Sequence, residues 1–293
     1  MLNKNLITRV AGVVVLYNPY LNIFDNIKTY INQVDKLFVI DNSDKINNFL
    51  VEKIQLKNKA EYINNPSNLG IAAALNVGAR KAIGDGFEYL LTMDQDSKAT
   101  TDMVKSLLKI MQSFDNIGIV TAEHINFPFQ EQTEIKFTKE IIYTMTSGNL
   151  LNLSAYKKAG AFLEKLFIDH VDHEYCLRLK KNGFKIIKTN EAVVYHNVGD
   201  AIRKKFFNFI FCPTNHPPLR LYYRTRNRFY IDRFYKRIFP EYVKEDRRNF
   251  IRELIEIIFY ENNLLEKIKM MIVGYLDYRN NILGKYKESK ETG

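Results

Sequence analysis

Cysteine is scarce in this chain. Cys176 and Cys212 are the only two in 293 residues, too few and too far apart for a disulfide framework or a zinc cluster, and they point to a reducing compartment such as the cytoplasm. No apolar run is long enough to cross a bilayer. The first, Val10–Tyr17, has the length of a strand, and no secretory h-region precedes it. A Walker A loop and a GxGxxG turn are both missing, which disfavours an ATPase or a dinucleotide enzyme. There is no internal repeat, no low-complexity tract and no recognisable nucleic-acid reading module, so nucleic acid is not an expected partner.

The rest is an ordinary soluble globular composition, 46% hydrophobic and 26% charged, in a chain long enough to bury a large core. The net charge of +10 is unevenly placed. Residues 201–293 hold 20 Lys/Arg against 11 Asp/Glu, whereas the first 200 hold 23 against 22. A basic C-terminal third suits an anionic partner, and apolar and aromatic residues interleave with the basic ones there, which favours a membrane face over nucleic acid.

The first half alternates apolar runs with helical spacing, as a mainly parallel sheet with crossover helices does. Strands are expected at Val10–Tyr17, Lys36–Ile40, Glu61–Ile63 and Phe87–Met93, with helices at Ile23–Gln33 and Gly70–Ile83. Each strand ends in a polar cluster: Tyr17-Asn18-Pro19, Asp41-Asn42-Ser43, Asn64-Asn65 and Asp94-Gln95-Asp96. Ligands of open α/β sheets bind at the carboxyl ends of strands, so four polar ends on one edge suit a nucleotide. Further on, strands are expected at Ile117–Ala122, Ile141–Thr146, Phe184–Lys188 and Ala192–Tyr195. A helix is expected at Asp172–Lys181, capped by Gly183. Beyond Pro217 the spacing predicts helices at Leu219–Tyr235, Tyr242–Tyr260 and Leu264–Tyr275.

Several clusters can carry chemistry. Asp94-Gln95-Asp96 presents two carboxylates, the oxygen ligands that Mg²⁺ or Mn²⁺ takes together with substrate phosphates; alone, such a triplet is equally a solvated turn. Asp41 can accept from a pyrimidine N–H, or the cluster can serve as an Asx turn or helix cap. Asn65 to Gly70 leads into a small-residue helix whose N-terminus offers N–H groups. Asp172, at a helix start, can act as a general base. Glu174 is spaced for a salt bridge to Arg178, and the pair His170 and His173 is weak evidence for metal. His196 ends an apolar run, where it either completes a metal site or sits as an ordinary histidine. Arg226, in Tyr222-Tyr223-Arg224-Thr225-Arg226-Asn227, suits diphosphate oxygens or is a snorkelling helix residue.

Taken in order, these segments resemble family 2 glycosyltransferases of the GT-A fold, and within them the dTDP-rhamnose-using rhamnosyltransferase branch. The motifs run from Tyr-Asn-Pro through Asp-Asn-Ser, Asn-Leu-Gly-Ile-Ala-Ala-Ala-Leu-Asn-x-Gly, Asp-Gln-Asp, Ser-Gly-Asn and Phe-Ile-Asp-x-Val-Asp-x-Glu-Tyr-Cys-Leu-Arg to His-x-x-Gly and Tyr-Tyr-x-x-Arg-Asn. The resemblance implies an α/β, Rossmann-like GT-A domain with a mixed, mostly parallel sheet over residues 1–216 (a nucleotide part, 1–100, and an acceptor part, 101–216) and a basic helical region over 217–293. It implies that Tyr17 and Asp41 meet the nucleoside, and that Asn65, Asn68 and Gly70 lie near the sugar nucleotide. Asp94 and Asp96 would hold nucleotide and metal, His196 would add a metal ligand, Arg226 would contact the diphosphate and Asp172 would be the base. Many relatives carry Glu-Asp where this chain has Val171-Asp172, so Asp169 stays a second choice.

The chemistry so implied is inverting transfer of a sugar from dTDP-rhamnose to a hydroxyl of a glycan or lipid-linked glycan, with a UDP-sugar donor as the alternative. The expected place is the cytoplasm, at the inner face of the cell membrane. The basic helices serve either that surface or a homo-oligomer contact.

Overall fold

The computed structural model describes residues 8–20, 22–127, 135–197, 204–206, 209–211 and 213–287, with 126–127, 196–197, 204–206 and 209–211 described by their backbone alone. The first half is built as the alternation requires. It runs β1 (Val10–Leu16), α1 (Ile23–Ile27), β2 (Lys36–Asp41), α2 (Asn48–Gln55), β3 (Ala60–Asn64), α3 (Ile71–Gly84) and β4 (Tyr89–Asp94). Next come β5 (Ser97–Ala99), α4 (Met103–Met111), β6 (Ile117–Phe127), β7 (Thr138–Glu140), β8 (Asn149–Asn152), α5 (Leu153–Ala159), α6 (Val171–Lys181) and β9 (Lys185–Asn197). A short hairpin, β10 (Lys204–Phe206) and β11 (Phe209–Phe211), precedes α7 (Pro218–Tyr235), α8 (Pro240–Tyr260) and α9 (Leu264–Arg279).

The main sheet has the order β3-β2-β1-β4-β8-β6-β9-β5, with β7 also on β9. It is mixed: β3, β2, β1 and β4 are mutually parallel, and β8 enters antiparallel between β4 and β6. Strand order reverses at β1, where chain connections part to either side and leave a crevice at the strands' carboxyl ends.

Two core layers follow from the period of two. Val10, Val14 and Leu16 of β1 face one layer with Leu37 and Val39 of β2, covered by α1 and α4. Ala11, Val13 and Val15 face the other with Phe38 and Ile40, covered by α3, α5 and α6. The alanines of α3 let that helix lie close, and Gly78 is the point of nearest approach. A Cβ there would stand 2.4 Å from Val13 Cγ2. Gly78→Ala is therefore expected to destabilise the protein by about 1–3 kcal/mol through overpacking. It should appear as a lower urea midpoint at unchanged m-value; a higher midpoint would mean that Val13 yields without strain.

Some expected elements differ. Ile23–Gln33 is not one helix. α1 ends at Ile27 and a single 3₁₀ turn covers Ile31–Gln33. Between them Thr29 Oγ1 donates to Asn26 O and accepts from Ala99 N, and Gln33 Nε2 donates to Thr29 O, so side chains take over backbone bonding. Ile141–Thr146 is not a strand. Ile141 N donates to Ile186 O, after which the segment turns Tyr143 onto His173 and Tyr242. The two short strands expected around Thr189–Glu191 are one strand, β9, with a register irregularity where Asn190 bonds Phe137 N and Ile135 O.

The helices α7, α8 and α9 meet at Leu221, Ile257 and Met271, and α7 and α8 dock on α6 through Leu177, Ile231, Tyr235 and Tyr242. Gly274 allows α9 to reach Tyr222 of α7, where a Cβ would lie 2.4 Å from the Tyr222 carbonyl oxygen.

Candidate active site

Register aligns the carboxyl ends of the first four strands. Asn64 lies opposite Asp41, Asp41 opposite Leu16, and Asp94 opposite Val15. At one strand spacing each, the row is roughly 14 Å across. Tyr17, Asp41, Asn65 and Asp94 are thus brought to one edge.

Backbone and side chains at this edge are tied together. Asp41 is buried; its Oδ1 accepts from Ser43 N at 2.8 Å and its Oδ2 from Tyr62 OH at 2.6 Å. Burial first, then the bond to Asp41, pushes the Tyr62 phenol well above its ordinary range. Asn65 Nδ2 donates to Asn42 Oδ1 at 2.6 Å, and Asn42 Nδ2 to Gly70 O at 3.0 Å. Asn68 Oδ1 accepts from Gly70 N at 3.0 Å. Gly70 itself has φ +87°, and a Cβ would stand 2.5 Å from the Phe167 carbonyl oxygen, which accepts from Ile71 N. The loop before α6 is therefore seated on the asparagine motif.

Gln95, passed over between its two acidic neighbours in the sequence, joins β4 to β1. Its Oε1 accepts from Tyr17 N at 2.9 Å, its Nε2 donates to Tyr17 O at 3.3 Å, and its carbonyl accepts from Asn26 Nδ2 at 2.7 Å. Asn18 N likewise donates to Ser43 Oγ at 2.8 Å. The only sequence signal for these pins is polar residues with both donor and acceptor atoms at strand ends. Tyr17 remains 45% exposed at this edge.

Asp94 is half-buried and Asp96 exposed. Both charges reach Tyr30, whose phenol is driven far up by burial and, secondarily, by Asp94 and Asp96. Asp94 N donates to Ser147 Oγ at 3.1 Å, which joins the Ser-Gly-Asn turn to the triplet. Two carboxylates on one turn fit a hard divalent ion that takes its other ligands from phosphate and water. No cluster of three or more His, Cys, Asp or Glu that can hold a metal occurs among the described residues. The side chain of His196 lies outside them, but its backbone pairs with Ser97, the residue after Asp96.

Asp172 stands in the first turn of α6, its Oδ1 accepting from His173 N at 2.9 Å. It lines a small, partly open gap with Thr92 of β4, Thr146 and Asn149 and with the apolar Ile119, Leu151 and Phe162. The structure thus brings it to the strand that carries Asp94. Burial pushes its carboxyl above the ordinary carboxylate range, with a smaller push from Asp169, while its bond to the His173 N–H and the charge of His170 oppose this. Asp169 differs: both its oxygens face Arg220 Nε at 3.3 Å.

The neighbouring histidines and Glu174 have partners within the protein. His173 shares a 2.8 Å bond with Tyr242 OH, and burial holds its pKa at about 3. His170 lies 3.7 Å from Asp246. Glu174 takes Arg178 on both oxygens at 3.0 Å and accepts from Tyr235 OH at 2.8 Å, the i,i+4 pair the spacing predicts.

Arg226, expected at the diphosphate, lies inside the protein. It is 1% exposed and its guanidinium is spent on the chain itself. It donates to Gly284 O at 2.7 Å, Leu166 O at 3.1 Å and Asn227 Oδ1 at 3.1 Å. Beside it, Asn227 Nδ2 donates to the carbonyls of Leu166, Ile168 and Asp169 at 2.8, 2.8 and 2.9 Å. Together these two residues hold the loop that leads to Asp172.

Residues 13–167 match the model of the family described as Glycosyl transferase family 2. The chain belongs to this family. It is a glycosyltransferase, and its fold is GT-A-like. It is 28% identical to the dTDP-rhamnosyl transferase RfbF of Shigella flexneri over 304 residues, covering 94% of this chain and 97% of that protein. GalNAc-T7, solved with UDP, GalNAc and Mn²⁺, superposes with a TM-score of 0.63 at 13% identity, over 94% of this chain and 57% of that one. Staphylococcus aureus TarS does so with a TM-score of 0.55 at 14% identity, and the chain spans 43% of its length.

Proposed function

We propose that this glycosyltransferase moves L-rhamnose from dTDP-L-rhamnose, with inversion, onto a hydroxyl of a glycan or lipid-linked glycan in cell-surface polysaccharide synthesis. The observation that carries the donor is the likeness to a dTDP-rhamnosyl transferase over nearly the whole of both chains. Tyr17, exposed at the end of β1, offers a stacking face to the base. Asp41 keeps acceptor capacity beyond its two internal bonds and can take a pyrimidine N–H. Asn65 and Asn68 shape the wall through Asn42 and Gly70.

Asp172 takes the proton as the acceptor oxygen attacks the anomeric carbon, and the bond from that carbon to the diphosphate breaks on the opposite side. Asp94 and Asp96, with His196 as a further ligand, would hold Mg²⁺ or Mn²⁺. When bound, the ion supplies Lewis-acid stabilisation of charge on the diphosphate. The acceptor places the enzyme at the inner face of the membrane, although no helix among the described residues is long and apolar enough to cross one.

Titration calorimetry with dTDP and with UDP, each with and without Mn²⁺, tests the donor assignment. Metal-dependent binding of dTDP in preference to UDP is expected. Preference for UDP would move the donor to the UDP-sugar class, and no binding of either would overturn the nucleotide site itself.

A further inference from the structure

After α9 the chain turns back over α7. Asn281 takes φ 56°, and Ile282 N donates to Asp277 O at 2.8 Å, which closes the helix and redirects the backbone. Residues 281–287 bury little of their own: Asn281, Ile282, Lys285 and Lys287 are exposed. Their bonds converge instead on the loop that precedes α6. Gly284 N donates to Lys165 O at 2.7 Å, and Gly284 O accepts from Arg226 Nη1 at 2.7 Å. Arg226 Nη2 in turn donates to Leu166 O at 3.1 Å. Tyr286 N donates to Tyr223 OH at 2.7 Å, and the Tyr223 ring stacks on Phe167 with centroids 5.0 Å apart. Three consecutive loop residues, Lys165, Leu166 and Phe167, are thus reached from the segment beyond α9.

We propose that residues 281–286 are a strap that fixes the loop leading to Asp172, with Gly284 and Tyr223 as positioning residues for proton transfer. The loop needs support from outside. Its backbone bonds from Leu166 N, Phe167 N and Ile168 N reach no further back than three residues. Phe167, Asp169 and His170 also sit at positive φ, a backbone that persists only where its surroundings over-determine it. Asn227 holds the carbonyls of Leu166, Ile168 and Asp169 from α7. The strap adds a hold one step earlier, at Lys165, and steadies Arg226 and Tyr223 against Leu166 and Phe167. Glycine is required at 284 by conformation rather than by space. Its φ is +90°, while a Cβ there would meet nothing within 4 Å.

The inference rests on Asp172 as the base, yet the strap's hold on the loop is read without catalysis. If Asp172→Asn transferred at wild-type rate, the base would lie elsewhere while the effect of the strap on the loop amides stayed measurable.

Amide hydrogen exchange of the full chain, together with kcat and the Kd for dTDP, is the test in two variants. Gly284→Pro removes the N–H given to Lys165 O and cannot take a positive φ. Tyr223→Phe removes the acceptor of Tyr286 N and keeps the ring on Phe167. Faster exchange at Leu166, Phe167 and Ile168 is expected in both. In Gly284→Pro, kcat should fall at least about tenfold, because a small displacement of the base is costly, with dTDP affinity within about twofold of wild type. Tyr223→Phe should shift kcat in the same direction by less, and it carries the test alone if Gly284→Pro does not fold. Loop amides that exchange as in the wild type would overturn the proposal. So would a lowered melting temperature with kcat intact, which makes the strap a support of the fold alone, or a loss of dTDP binding in step with kcat.

Discussion

Asp172→Asn is expected to lower the transfer rate by about 10²–10⁴-fold, the usual worth of a positioned general base, while dTDP binds as in the wild type. The argument rests on where the carboxyl stands. It stands in the first turn of α6, it lines a small gap with Thr92 of the strand that ends in Asp94, and burial raises its proton affinity above that of an ordinary carboxylate. A raised folded-state pKa is also a statement about stability. Stability from such a group is fully present below the unfolded pKa and is lost as pH rises through the folded value, so at neutral pH the ionised Asp172 is a liability to the fold. The asparagine variant should therefore melt no lower than wild type at neutral pH, and the acidic limb of kcat/KM in the wild type should lie above the ordinary carboxylate range. Transfer at near wild-type rate would remove Asp172 from the reaction. Asp169→Asn then becomes the informative comparison, because Asp169 is held by Arg220 and is expected to matter for loop position rather than for proton transfer.

Much of this site could be read in the chain because strand ends of a parallel sheet concentrate polar residues where the fold concentrates function. Tyr17, Asp41, Asn65 and Asp94 were each ambiguous, and pairing register brings them to one edge. The helix bearing Asp172 was legible from its apolar spacing and from Gly183, which takes φ +83° just past its end. What escaped depends on direction rather than on residue type. Arg226 has the right chemistry for a diphosphate, but its helical position turns it into the protein. Ile141–Thr146 has the composition of a strand, but Ile142 and Tyr143 are drawn to the cluster of Ile231 and Tyr242 on helices far along the chain. Gln95 stands between two aspartates and carries no motif of its own, and only the folded proximity of β4 to β1 shows that it pins Tyr17.

Asn227→Ala is expected to cost at least about 10²-fold in kcat, because a base displaced by an ångström loses that much, while dTDP affinity changes little. The loop from Phe167 to His170 is strained. Phe167, Asp169 and His170 have φ of 66°, 59° and 60°, none of them glycine, and each such residue costs on the order of 1–3 kcal/mol unless its surroundings over-determine it. Asn227 supplies that constraint through three carbonyls, and Arg226 through the carbonyl of Leu166. Without the amide, the carbonyls of Ile168 and Asp169 lose their bonds to it, at about 1–3 kcal/mol for each left unpaired, and the loop can relax towards ordinary backbone. The shift is transmitted straight to Asp172, two residues beyond His170. The nucleoside end meets this loop where Ile71 N donates to Phe167 O, but Asp41, Asn42 and Asn65 keep bonds of their own, among themselves and to Ser43, Tyr62 and Gly70. Asn227→Asp keeps the shape but loses the donors and should fail as badly. Lowered thermal stability with kcat intact in both variants would show that Asn227 supports the fold alone; loss of kcat with dTDP binding preserved identifies it as the residue that positions the base.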